Sequence, residues 1–178
     1  RLHYQTPALL RQVLDELGKK HFTNVVDLGC GTGLSGFKAL ADRLTGIDLS
    51  PKMIAEAKKK NIYDVLHAGE IVDVLNKADE KYDLFVAADV FVYIGNLASV
   101  FKSVQDHASG GAWFLFSVEN CEENYVLRPS GRYAHSQSYI RSLAEKHRFA
   151  VEVCRSSELR KERQQWVMGT LFALKFLG

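Results

Sequence analysis

The residues with the clearest chemical purpose lie in Val25-Val26-Asp27-Leu28-Gly29-Cys30-Gly31-Thr32-Gly33, where an acid ending a β-branched run precedes glycines at alternate positions. Glycines so spaced allow a tight turn and a close approach of ligand to backbone. Gly31, Gly33 and Gly36 also satisfy G-x-G-x-x-G, a pattern that by itself suits a dinucleotide whose pyrophosphate rests on a helix N-terminus. Asp27 argues against that ligand, because a carboxylate pointing into the loop repels a pyrophosphate and attracts the ammonium of an amino-acid moiety. A second acid, Asp48, ends the next apolar run, about twenty residues on, where a carboxylate can accept from both hydroxyls of a ribose. The two acids and the loop between them point to a ligand that is an amino acid at one end and an adenosine at the other.

In these residues the sequence resembles the class I S-adenosylmethionine-dependent methyltransferase family: in Asp27-x-Gly29-x-Gly31-x-Gly33, in Gly46-Ile47-Asp48-Leu49-Ser50-x-x-Met53, and in Tyr82-Asp83-Leu84-Phe85-Val86-Ala87-Ala88-Asp89. The likeness is close from Val25 to Phe116 and looser beyond. It implies S-adenosyl-L-methionine as cofactor and S-adenosyl-L-homocysteine as product. It further implies that Asp48 and Leu49 hold the ribose and flank the adenine, that Met53 packs on the base, and that Gly69-Glu70 meets the adenine amino group, with Glu where Asp is commoner. Ala88 and Asp89 would lie beneath the methyl donor, and Tyr4, ahead of the first helix, over its carboxylate end. The donor set is then Asp27, Gly29, Cys30, Gly31, Gly33, Asp48, Leu49, Met53, Gly69, Glu70, Ala88, Asp89 and Tyr4. The Ala88-Asp89-Val90-Phe91 segment lacks the Asn-Pro-Pro-Tyr or Asp-Pro-Pro-Tyr signature of amino-group methylation on DNA bases or protein amides. Phe116-Ser117-Val118-Glu119 and Leu127 to Ser136 are similar to a methyltransferase group that carries tetratricopeptide repeats ahead of the catalytic domain. That likeness implies a repeat region before Arg1, in keeping with a chain that does not start at Met.

The acceptor side is expected in Leu127-Arg128-Pro129-Ser130-Gly131-Arg132-Tyr133-Ala134-His135-Ser136, near the edge where sheets of this class bind ligands. Arg128 and Arg132 suit a carboxylate or phosphate gripped in bidentate fashion, and His135 suits proton removal from a hydroxyl, with Glu119 as the second choice of base. Tyr93 and Tyr133 are the aromatic candidates for acceptor contact. The bland reading is a turn whose arginines pair with Glu119, Glu122 or Glu123, followed by Ser136 as a helix cap. Cys30 reads as a small loop filler, since nothing nearby in sequence would activate it. Lys58-Lys59-Lys60 and Arg160-Lys161-x-Arg163 read as solvated charge runs, the second in a hairpin turn.

The elements that must position these residues alternate. An opening helix follows from Leu9, Leu10, Val13, Leu14 and Leu17, with Thr6 as cap, Pro7 at the first helical position and Gly18 as stop. A strand at Asn24 to Leu28 leads through the glycines into a helix from Leu34 to about Ala41. Strands near Leu44 to Asp48, Val65, Leu84 to Ala88 and Trp113 to Val118 alternate with helices at Pro51 to Lys60, capped by Ser50, Glu70 to Leu75 and Asn96 to His107. After a helix from Ser136 to His147, Phe149 to Cys154 and Val167 to Phe176 read as an antiparallel hairpin closing one edge. The fold class is therefore α/β, a Rossmann-like doubly wound sheet of about seven strands, mostly parallel. Residues 1–178 form one domain, and 120–135 is the one long irregular stretch, expected to be the acceptor-side loop.

Composition narrows the remaining classes. The chain is 47% hydrophobic and 25% charged with a net charge of +2, so no global field argues for nucleic acid or an anionic membrane. Cys30, Cys121 and Cys154 are scattered, odd in number and without a C-x-x-C pair, which indicates neither disulfide framework nor metal site. The apolar stretches are too short and too polar to span a bilayer, and the default is a soluble protein of the cytoplasm acting on a small-molecule acceptor. Two rivals stand beside the methyltransferase: a donor-binding but catalytically silent partner domain, and a nicotinamide-dependent oxidoreductase on Gly31, Gly33 and Gly36, which no Tyr-x-x-x-Lys pair accompanies.

Overall fold

The computed structural model describes residues 5–33 and 36–178. Tyr4 lies outside them, as do Leu34 and Ser35. Helix α1 (Thr6–Glu16) buries Leu10, Val13 and Leu14 on one face, with Pro7 in its first turn. Gln5 rather than Thr6 holds the N-cap position, and Thr6 is itself buried in the first turn. Gly18, at φ 71°, takes the left-handed conformation that ends the helix.

From there strands and helices alternate: β1 (Phe22–Leu28), β2 (Ala41–Asp48), α2 (Pro51–Lys59), β3 (Val65–Ala68), α3 (Ile71–Ala78), β4 (Tyr82–Ala87), α4 (Ala98–His107) and β5 (Ala108–Glu119). A small hairpin, β6 (Tyr125–Leu127) and β7 (Tyr133–His135), precedes α5 (Gln137–Lys146) and the long pair β8 (Phe149–Glu162) and β9 (Gln165–Phe176). The main sheet runs β3-β2-β1-β4-β5-β9-β8. Its first five strands are parallel, and β9 inserts antiparallel between β5 and the edge strand β8. Chain order reverses between β1 and β4, so the crevice outside their carboxyl ends is the topological switch point where such sheets bind ligands.

A parallel sheet buried on both faces needs strands apolar on both sides, and Leu84-Phe85-Val86-Ala87 and Phe114-Leu115-Phe116 answer that need. One face is aromatic: Phe114 meets Phe85, Phe91, Phe101 and Phe116 at centroid distances of 6.2, 6.1, 5.4 and 4.7 Å. The other face packs Leu10, Val13 and Leu14 of α1 with Phe37, Trp113 and Leu115.

Four expectations change. Leu34 and Ser35, where the expected helix starts, lie outside the described residues, and residues 36–41 hold no α-helix: Gly36 is left-handed at φ 67°, the buried Phe37 follows, and a 3-10 turn at Lys38–Leu40 leads straight into β2. The 120–135 stretch is not wholly irregular, because Tyr125 to Leu127 pairs with Tyr133 to His135 around a turn in which Gly131 takes φ 82°. The C-terminal strands run well beyond their expected bounds, to a turn at Arg163 and Gln164 with φ of 48° and 65°, a two-residue connection with positive φ at both positions as twisted hairpins favour. Arg160 therefore belongs to a strand and is buried, not to a solvated turn.

Candidate functional site

Two groups of polar side chains gather along the carboxyl edge of the sheet, one at β1, β2 and β3, the other beyond β4 and β5.

In the first group the glycine loop is stitched to β2. The Cys30 N–H donates to the Ile47 carbonyl at 2.8 Å, and Gly33 N–H to the Cys30 carbonyl at 3.0 Å. The Asp48 carboxylate accepts from Gly31 N–H and from Ser50 N–H, each at 2.9 Å. Ser50 itself caps α2 by accepting from Met53 N–H at 3.3 Å, and the Gly69 N–H reaches the Asp48 carbonyl at 2.9 Å. One acid thus pins the loop, the start of α2 and the end of β3 to a common point. Gly29 must be glycine twice over: its φ is 71°, and a Cβ there would stand 2.4 Å from Val90. At Gly31 the same atom would meet nothing within 4 Å, so the loop faces open space.

Leu49, 74% exposed, lies just before α2, and Met53, also exposed, lies in its first turn. Glu70 is exposed at the N-cap of α3 and its side chain makes no capping bond there. Asp27 is only 2% exposed and accepts a hydrogen bond from the Tyr63 hydroxyl at 2.6 Å. Burial, with the charges of Asp27 and Asp48 beside it, raises the Cys30 thiol to about 12, which keeps it an inert thiol. These residues fit a ligand with a ribose, a base and an ammonium group. A carboxylate offers about four acceptor positions, so Asp48 keeps room for two hydroxyls after its two backbone bonds. A dinucleotide fits less well, since the Asp27 carboxylate at the end of β1 repels a pyrophosphate.

The second group is built from side chains far apart in sequence. Asp89 follows β4 in the left-handed region, φ 56°, with its N–H held by Ser117 Oγ at 3.0 Å. One of its carboxylate oxygens, Oδ1, is buried without a hydrogen-bond partner, and Oδ2 lies 3.6 Å from Arg132 Nη1. Burial raises its pKa, and the nearby Arg132 and Arg160 offset part of that rise. Arg132 also stands 3.8 Å from Glu119 and sits 5.9 Å over the exposed ring of Tyr93. Glu119 and Arg160 are 3% and 5% exposed and joined at 3.0 Å, and Arg160 also donates to Glu162 at 2.8 Å. Glu119 is thereby committed to a buried ion pair.

His135 is fully buried, and its Nε2 lies 2.8 and 2.9 Å from the Ile94 and Gly95 carbonyls, to which it donates. Burial lowers its pKa. Bonded to backbone in this way, the ring holds the 94–95 segment in place, and its Nδ1 is buried without a hydrogen-bond partner. Tyr133 and Tyr125 lie against Gly95, where a Cβ would stand 2.7 and 3.0 Å from their rings. The Arg128 guanidinium donates to the Asn120 carbonyl, which ties the β6–β7 turn back to β5. Of the expected acceptor residues, Arg132 and Tyr93 come together beside Asp89, while Arg128 and His135 brace the loop. Sequence reasoning missed Tyr63, the bond of Ser117 to Asp89 and the burial of Arg160, each of which depends on a partner far away in the chain.

A family model described as methyltransferase domain matches residues 26–114, half of the chain. The ubiquinone biosynthesis O-methyltransferase of Nitrosomonas europaea is 28% identical across 67% of this chain, which spans 53% of that relative's length. The malonyl-[acyl-carrier protein] O-methyltransferase 2 of Ilyobacter polytropus is 27% identical across 98% of this chain and 75% of its own. Among solved structures, magnesium protoporphyrin IX methyltransferase from Synechocystis PCC 6803, with bound S-adenosylhomocysteine, superposes with a TM-score of 0.75 at 18% identity, covering 98% of this chain and 83% of that one. At that identity the likeness carries the fold.

Proposed function

This chain belongs to the methyltransferase domain family, and we propose that it transfers a methyl group from S-adenosylmethionine to a small-molecule acceptor. The observation that carries the reading is Asp48, whose carboxylate is fixed by Gly31 and Ser50 N–H groups at the mouth of a glycine loop that faces open space. In this reading Asp48 takes the ribose hydroxyls, Leu49 and Met53 cover the adenine, Glu70 accepts from its amino group and Asp27 faces the ammonium. When bound, the cofactor would supply an electrophilic methyl carbon on a sulfonium whose sulfur leaves as the neutral thioether of S-adenosylhomocysteine when an acceptor takes the methyl group. Alignment of the acceptor over that carbon is the chain's chief task, and such positioning is worth roughly 7–11 kcal/mol of a barrier.

On the acceptor side Asp89 is the residue placed to receive a proton from a hydroxyl acceptor, in preference to the buried His135 and the ion-paired Glu119. Its unpartnered Oδ1, its left-handed backbone and its raised pKa support that role, since unsatisfied buried groups and strained backbone gather at functional sites. Arg132, loosely held between two acids over Tyr93, suits an anionic group on the acceptor. The two relatives named above are O-methyltransferases of a quinone pathway and of a carrier-bound acid, which supports oxygen as the methylated atom. The likeness around Phe116 to Glu119 and Leu127 to Ser136 supports placing the chain with methyltransferases that carry tetratricopeptide repeats before the catalytic domain. No helix among the described residues is long and apolar enough to cross a membrane, in keeping with action in the cytoplasm.

The test is calorimetric titration with S-adenosylhomocysteine and, separately, NADH, followed by transfer of labelled methyl groups from S-adenosylmethionine into a small-molecule extract. Micromolar binding of the homocysteine compound with transfer supports the reading. Binding without any transfer favours a silent partner domain, and NADH binding alone overturns the donor assignment.

A further inference from the structure

We infer that Tyr63 is a positioning residue of the donor site, holding the Asp27 carboxylate in the orientation and charge state that receive an ammonium group. The inference rests on the donor reading above and deepens it at the amino-acid end. Tyr63 lies in the connector between α2 and β3, thirty-six residues from Asp27, and belongs to no motif. Its hydroxyl nonetheless donates to Asp27 Oδ2 at 2.6 Å, a length typical of a strong bond to an ionised oxygen.

A second, independent observation concerns the ring. Gly46 has ordinary backbone torsions, so conformation does not require glycine there. Space does: a Cβ on Gly46 would stand 2.9 Å from Tyr63, and one on Gly33 would stand 3.0 Å from it. The ring is laid across the ends of β1 and β2 in a slot made by two glycines of the motifs that define the donor site. That slot is what carries a hydroxyl from the α2–β3 connector to the acid at the end of β1.

The physical need is plain. Asp27 is nearly sealed from solvent, and burial penalises the charged form of a carboxylate, whereas a hydrogen bond donated to it favours that form. Only the charged form attracts an ammonium. The Tyr63 hydroxyl supplies such a bond and fixes the rotation of the carboxylate. The role is indirect, through Asp27, and Tyr63 is not expected to touch the reacting atoms.

Two probes separate this from mere packing. S-adenosylhomocysteine carries the ammonium; 5′-methylthioadenosine has the same adenosine and thioether without the amino-acid end. In Tyr63→Phe, which keeps the ring in its slot, affinity for S-adenosylhomocysteine should fall by about tenfold, while that for 5′-methylthioadenosine stays within about twofold. Both ligands are measured on the same variant, so any loss of stability affects them alike. In an Asp27→Asn background Tyr63→Phe should change nothing further, because the two residues act as one unit. Equal losses on both probes, no loss on either, or additive losses in the double variant would overturn the inference. Failure of the donor reading itself would show earlier, as absent S-adenosylhomocysteine binding by the unsubstituted chain.

Discussion

At the ends of β1 and β2 the polar contacts run mostly from backbone to one acid: Gly31 and Ser50 N–H groups to Asp48. Beyond β4 and β5 they run from side chain to side chain: Arg160 to Glu119 across the sheet and to Glu162 on its own strand, and Arg132 between Asp89 and Glu119. The first region is specified by a glycine-rich turn and its neighbours, so its geometry is nearly complete once β1 pairs with β2. The second is specified only when β8 closes the far edge of the sheet and brings Arg160 over Glu119. The comparison teaches that the donor half is a local device with tertiary support, while the acceptor half is a tertiary device with almost no local signature.

The sharpest way to break that division is Asp89→Asn. Asn tolerates a left-handed backbone, so the fold should hold, and donor binding should be retained. Turnover of a hydroxyl acceptor should fall by roughly 10²–10⁴-fold if Asp89 receives its proton. Steady-state rates beside S-adenosylhomocysteine affinity measure both halves at once. A loss confined to donor affinity would return Asp89 to the donor half.

Next in size is Arg160→Ala. It leaves Glu119 buried without its closest cation, and breaking a buried pair in this way costs about 3–5 kcal/mol. Denaturant unfolding measures it. A loss near zero would mean that Arg132 takes over Glu119 and that the acceptor half repacks freely. Asp48→Ala should act on the other half: loss of hydrogen bonds to a charged group, about 1.5–3 kcal/mol, weakens S-adenosylhomocysteine roughly ten- to hundredfold. If affinity were unchanged, the ribose assignment would fall.

The same contrast explains what was legible in the sequence. Alternating apolar strands and periodic helices carry the fold, because a parallel sheet covered on both faces leaves its burial pattern in the chain. Asp27, Gly29, Gly31, Gly33 and Asp48 are legible because turn geometry demands particular residues at particular spacings. The expected helix does not run through residues 36–41, because Gly36 turns left-handed and Phe37 is drawn into the core, a tertiary demand that outweighs helical spacing. Arg160 looked like a solvated charge because nothing in its neighbourhood reveals that Glu119 waits across β9. For His135, residue type shows neither its burial nor the carbonyls of Ile94 and Gly95 that hold it.

That last point yields the smallest expected effect and a direct check on His135. Its pKa in the folded chain lies below the ordinary value of 6.5, chiefly because burial disfavours the imidazolium, with the two carbonyl bonds opposing less strongly. Unfolding returns the ring to its ordinary value, so below that value the unfolded chain binds a proton that the folded chain refuses. The sign follows: His135 contributes stability that is present above the ordinary imidazole range and is lost as pH falls through that range toward the folded value. His147 shifts in the same direction, again chiefly through burial, and adds to the slope. His135→Gln keeps a donor for the carbonyls and removes the titration, so melting temperatures measured from pH 7.5 downward, through about 6.5, should fall less steeply than in the unsubstituted chain. An unchanged slope would mean that His135 titrates freely in the folded chain, and a ring that titrates freely is one that solvent, and an acceptor, can reach.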